Sequence, residues 1–267
     1  MMEQMLTYSF FQRALIVGIL LSVCSSLLGV TLVLKRCSMI GDGLSHVGFG
    51  ALAIAVALNL TPMYVAIPCV VIASFILLKI NEKSVKGDAA IALISSSALA
   101  IGIMVVSLSS GMNMDVNNYM FGSILSLTKN DVILTVILSI AVVVTYFLFY
   151  NRIFMVTFDE TYAQAIGIDV KFYNTIIAIL TAITVVLGMR MMGALLVSSL
   201  IIFPGLTSMK ILKSYRGVVV SSIFVSVFCL ITGMILSVIW STPTGATIVF
   251  SNLIVYLIAS ATRLIRR

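Results

Sequence analysis

Charge is what this chain has least of. Only 9% of its 267 residues are Asp, Glu, Lys or Arg, against about 25% in an ordinary soluble domain. That shortage excludes a freely soluble protein, because too little polar side chain exists to hydrate a surface. Cysteine is scarce as well: Cys24, Cys37, Cys69 and Cys229 show no C-x-x-C spacing, so a zinc ribbon or a thioredoxin-like redox pair is excluded. Three of the four fall inside apolar segments, which predicts small buried hydrophobes. There is no G-x-x-x-x-G-K-[ST] phosphate loop; ATP, if it is used, needs a separate subunit. No nucleophile triad is visible, since Ser45 directly precedes the lone histidine, His46, and would not face it on a helix. Repeats, low-complexity tracts and a soluble domain are lacking too. No A-x-A-like cleavage pattern follows a short apolar core at the start, so the first apolar segment is expected to be kept.

What is present is apolar: 61% of the residues. Hydrocarbon offers the backbone no hydrogen bonds, so a chain of this kind is built from helices that satisfy their own. Nine apolar segments run approximately over 14–34, 43–60, 63–80, 89–109, 132–150, 173–188, 191–210, 217–239 and 244–262. Several approach the ~20 residues that cross a bilayer core; the second, third and sixth are short. The prediction is an all-α, multi-pass membrane protein of about nine transmembrane helices, or eight if one short segment does not cross.

The basic residues set its orientation. With the C-terminus and its Arg263, Arg266 and Arg267 in the cytoplasm, alternation backwards places Lys35, Arg36, Lys79, Lys83, Lys86, Arg152, Lys171, Lys210, Lys213 and Arg216 inside as well. Only Arg13, Lys129 and Arg190 remain outside. The net charge of +7 is thus a loop charge of a bilayer protein, and no nucleic acid is expected as partner. Two loops stand out. Residues 110–131 fall outside, with a surface helix expected from Tyr119 to Leu127. Residues 151–172 fall inside, where Asp159 is an N-cap candidate and Gly167 a C-cap for a short exposed helix.

The chemistry concentrates in Met39-Ile40-Gly41-Asp42-Gly43-Leu44-Ser45-His46-Val47-Gly48. Asp42 and His46 are spaced i, i+4, which puts them about 5–6 Å apart at Cβ on one helix face. A carboxylate beside an imidazole is half of a transition-metal site. Ionisable groups at membrane depth are costly and usually serve a pathway or relay. The plainer alternative is that Asp42 caps the helix and His46 is an interior hydrogen-bonded side chain. Glycines around the pair favour close helix contact, and a two-fold dimer would bring two Asp and two His to one axis. Four such ligands suit Zn²⁺, or Mn²⁺ with waters. A proton- or ion-coupled secondary carrier using the pair as a relay is the alternative from another class.

Four stretches resemble the membrane permease of the manganese/zinc/iron-chelate class of bacterial ABC importers. They are Val33 to His46, with its basic pair and Gly-Asp-x-Leu-Ser-His core; Tyr119-Met120-Phe121-Gly122-Ser123-Ile124-Leu125; Phe158-Asp159-Glu160 through Ala165-Ile166-Gly167-Ile168; and Met192 through Pro204-Gly205. The resemblance covers nearly the whole chain, residues 1–267 as a single permease domain, with Gly205 and Cys37 as small departures. It implies a type II ABC-importer-like fold in a bacterial cell membrane. It implies a homodimer bound to two cytoplasmic ATP-binding subunits and fed by an extracellular metal-binding lipoprotein. Asp42 and His46 would be transient metal ligands. Asp159, Glu160, Ala163, Ala165 and Gly167 would lie in the ATPase-coupling region, and Tyr119, Phe121, Gly122 and Ser123 beside the outer gate. No permanently bound cofactor is expected; Zn²⁺ or Mn²⁺ would be cargo, with the first stretch most similar to zinc permeases.

Overall fold

All nine apolar segments form helices. The computed structural model describes residues 9–83, 87–109 and 129–265, and among them no strand occurs. In chain order the helices are α1 (Ser9–Leu34), α2 (Ile40–Ala57), α3 (Pro62–Lys83), α4 (Gly87–Leu108), α5 (Lys129–Leu148), α6 (Tyr150–Phe158), α7 (Glu160–Ala165), α8 (Val170–Met192), α9 (Ala194–Ile211), α10 (Tyr215–Trp240) and α11 (Thr244–Ile265). Eight of them, all but α6, α7 and α9, are long and apolar enough to cross a membrane. The ninth apolar segment, α9, has 18 residues and a length of about 27 Å at 1.5 Å per residue. It is sheathed by other helices, with Leu196, Val197, Leu200 and Ile201 buried.

Some boundaries differ from those read off the apolar runs. The short third and sixth segments become helices of 22 and 23 residues. Their added turns carry polar residues such as Asn81 and Lys171, so each helix continues beyond its apolar run. The second segment keeps 18 residues but starts at Ile40. Asp42 is therefore already inside the helix.

Apolar surface does not drive helices together in lipid; close packing does. α1 holds the centre: 72% of its spanning window is buried, against 22% for α4 and α5. It contacts α5, α8, α9 and α10. Gly29 sets one of these contacts, because a Cβ there would lie 1.9 Å from the carbonyl oxygen of Ile201 in α9. The rim instead exposes Ile103, Met104, Ile133, Ile137, Phe224 and Phe228, a surface made for hydrocarbon. Of the three cysteines in apolar segments, Cys24 and Cys229 are buried as expected but Cys69 is exposed on α3, while Cys37, between segments, is buried too; an apolar thiol costs nothing against lipid. A one-residue turn follows α8: Gly193 alone, at φ 88°, joins α8 to α9, and Gly188 meets Val197 across it.

The bundle also gathers the basic loops. Lys35 pairs with Glu160 at 2.6 Å, and Lys79 and Lys171 line one cleft. Tyr215, beside Arg216, lies against the rings of Tyr150, Phe154 and Phe158. The loops before α2, after α3, between α5 and α8, and before α10 thus share one end, as an up-and-down alternation requires.

Candidate metal path and coupling end

α2 packs against α3, α4, α8 and α9 with most of its surface. Gly41 lies on the Ile201 side chain, Gly43 on Ile91, Gly48 on Met189 and Gly50 on the Ala98 carbonyl. The glycine-rich stretch therefore buries the back of the helix. Its front carries the ionisable pair: His46 Nε2 lies 3.7 Å from Asp42 Oδ2, with side chains 25% and 40% exposed. Asp42 does not act as the N-cap, since Met39 holds that position without a side-chain bond. It sits in the first turn, where a carboxylate also complements the helix dipole. The Ser45 hydroxyl donates to the Asp42 carbonyl oxygen at 2.7 Å, so it is tied to its own helix and takes no part in the pair.

Two ligands do not make a metal site. Among the described residues no three His, Cys, Asp or Glu side chains converge to hold an ion. Asp42 and His46 therefore stand as an ionisable pair on a partly open face of α2.

The second cluster lies at the end shared by the basic loops. Asp159 caps α7, its Oδ1 accepting from the Tyr162 amide at 2.9 Å. At the other end the Gly167 amide donates to the Gln164 carbonyl at 3.0 Å and the Ile168 amide to Ala163 at 2.9 Å. That is a Schellman closure, and Gly167 takes the left-handed φ of 83° it requires. Both caps read from the sequence are thus present. The five coupling candidates divide by direction. Ala163 is buried with Val156, Ile168 and Val170. Glu160 turns in toward Lys35. Ala165, Asp159 and Gly167 are exposed. The outer surface is less polar than expected, since Phe158, Tyr162, Ile166 and Phe172 are all exposed. The Tyr150 phenol at this end is raised above its ordinary range by burial and by Tyr215, with Arg216 opposing.

Sequence reasoning counted Lys35 only as a loop charge. In the fold its side chain is 8% exposed and donates to Glu160 and to the Asn174 amide oxygen. The available signal was its position, directly after the last apolar residue of α1, too close to the bundle to stay in water. The gate candidates Tyr119, Phe121, Gly122 and Ser123, and the external helix expected from Tyr119 to Leu127, lie outside the described residues.

A bundle of bilayer-length helices with a buried centre, a partly open ionisable pair and a capped, exposed helix at one end is the architecture of a membrane permease. The chain belongs to the ABC 3 transport family, whose sequence profile matches residues 7–263. It is 33% identical to the "High-affinity zinc uptake system membrane protein ZnuB" of Buchnera aphidicola, over 91% of this chain and 94% of that one. It is 29% identical to the "Manganese transport system membrane protein MntC" of Listeria monocytogenes, over 97% and 92%. Its fold superposes on a chain of "PsaBC from Streptococcus pneumoniae in complex with Fab" with a TM-score of 0.86 and 26% identity, covering 97% of this chain and 93% of that one.

Proposed function

We propose that the chain is the membrane permease of an ATP-driven importer of divalent transition-metal ions, with Zn²⁺ the first cargo to test and Mn²⁺ the second. The zinc and manganese systems named for its relatives support the cargo class, and the ZnuB relatives share slightly more identity, at 33% and 31% against 29%. The observation that carries the reading is the Asp42–His46 pair, 3.7 Å apart and half-open on an otherwise packed membrane helix.

Two copies would complete the site. Each brings one carboxylate and one imidazole, so two carboxylates offset the charge of a divalent cation that bare hydrocarbon would reject. Mixed oxygen and nitrogen ligands accept Zn²⁺ or Mn²⁺. A site split between subunits is made and unmade by small relative motions, which suits release. α4, packed on α2, also exposes Ser96 and Ser97 within its span, hydroxyls better matched to another helix than to lipid. The end with the basic loops faces the cytoplasm by the positive-inside rule, with the C-terminus on that side. The exposed Phe158, Tyr162, Ile166 and Phe172 around α7 then offer an apolar contact to a separate ATP-binding subunit, while an external metal-binding protein delivers the ion.

The test is uptake into proteoliposomes holding the permease with its ATPase and binding protein. ATP-dependent uptake of Zn²⁺ or Mn²⁺, lost in His46→Ala with assembly intact, is the expected result. Uptake without ATP replaces this reading with the carrier; ATP-driven uptake indifferent to the substitution removes the site.

A further inference from the structure

Lys35 is an ammonium held out of water by two partners from distant parts of the chain. Its Nζ donates to Glu160 Oε1 at 2.6 Å and to Asn174 Oδ1, and Asn174 Nδ2 donates in turn to Glu160 at 3.3 Å. Glu160 is the first residue of α7 and Asn174 lies in the second turn of α8. The three side chains wall a cleft of about 250 Å³ with Cys37, Leu78, Thr157 and Phe158. A buried ammonium leaves its carboxylate only at the cost of an uncompensated charge, so Lys35 follows α7 wherever it goes.

The chain after Lys35 has no slack. The Cys37 amide donates to the Leu32 carbonyl at 2.8 Å and the Ile40 amide to Cys37 at 3.1 Å. The Cys37 thiol donates to the Lys35 carbonyl at 3.3 Å. Ile40 is buried, and Gly41 rests on Ile201. One residue later comes Asp42. From these contacts we infer that Lys35 is the positioning residue that carries movement of α7 into the first turn of α2, and so to the metal half-site. The inference rests on the importer reading for what moves α7. Without the ion pair, α7 swings alone and the half-site stays where it is.

The test uses the permease assembled with its ATPase. Amide hydrogen exchange is compared with and without trapping by ATP and vanadate, alongside Zn²⁺ uptake. In wild type, trapping changes exchange both in residues 159–168 and in residues 35–42. Lys35→Met keeps the first change, loses the second and lowers uptake at least tenfold with the ATPase still bound; Lys35→Arg restores both. A connector that responds in Lys35→Met as in wild type, or that does not respond in wild type, overturns the inference. Should Lys35→Met fail to assemble, Glu160→Gln decides, because it removes the charge and leaves the shape: a weakened connector response supports the relay and a full one overturns it. Absence of Zn²⁺ and Mn²⁺ uptake in the wild-type complex would remove the metal reading and leave the exchange result standing.

Discussion

The end of the bundle around α7 and the front face of α2 hold most of the polar chemistry described here, and they are built on opposite plans. At the α7 end every group named has its partner inside the chain. Asp159 caps, Gly167 closes, Lys35 meets Glu160 and Asn174, and the Tyr146 hydroxyl bridges Thr31 at 3.1 Å and Tyr215 at 2.9 Å. On α2, Asp42 and His46 have each other at 3.7 Å and an open side. A completed network is stiff, because moving one member strands the others. The α2 pair keeps an open side.

That contrast says where substitutions should hurt. The largest effect belongs to the closed interior. Gly29→Val drives a side chain into the Ile201 carbonyl, 1.9 Å from the first added carbon, and should cost about 3 kcal/mol or more; loss of monodisperse protein on size exclusion in mild detergent is the readout. Next comes the open face, where the cost should fall on transport alone. Asp42→Ala and His46→Ala should lower metal uptake at least ~100-fold, beyond what loss of a ligand's outer support costs, with thermal melting in detergent unchanged. A fall in melting temperature matching that of an interior mutant would break the comparison, since it would make the pair structural. At the α7 end, Gly167→Ala meets open space but keeps a φ of 83°. It should destabilise locally by about 1–2 kcal/mol, seen as faster amide exchange in α7. Asp159→Ala removes one cap bond for about 1 kcal/mol, with the same readout and a smaller shift. The least change is expected from a lipid-soluble maleimide, which should label Cys69 and spare Cys24 and Cys229 in the folded protein.

Much of this was legible before any coordinates. Apolar runs gave the helices because a bilayer leaves the backbone no other solution. Asp159 and Gly167 could be read as caps because capping is local, decided within four or five residues. The basic loops that alternation groups together do meet at one end, as Lys35 with Glu160 and Lys79 with Lys171 show. Boundaries were less legible: α3 runs on through Asn81 and α8 starts ahead of Lys171, since hydropathy marks where the hydrocarbon ends and not where the helix does. The short α9 was visible as an apolar segment, but not that it would be enclosed by α1, α8, α10 and α11.

The i, i+4 spacing of Asp42 and His46 follows from helix geometry, so their shared face was determined by sequence alone. Whether that face looked inward, toward lipid or toward an open surface depended on which sides of α2 its neighbours took. The glycines settle that only once Ile201, Ile91, Met189 and Ala98 are known to lie against them. Lys35 is the clearest case of the remainder. Its partners lie 125 and 139 residues away in the chain, and no local pattern encodes a contact at that separation. The sequence determined the helices, their caps and the shared face of Asp42 and His46, because each is a short-range or solvent-driven property. Only the tertiary structure decided that the pair has an open side and that the loop before it is bolted to α7, because packing alone brings distant residues within reach.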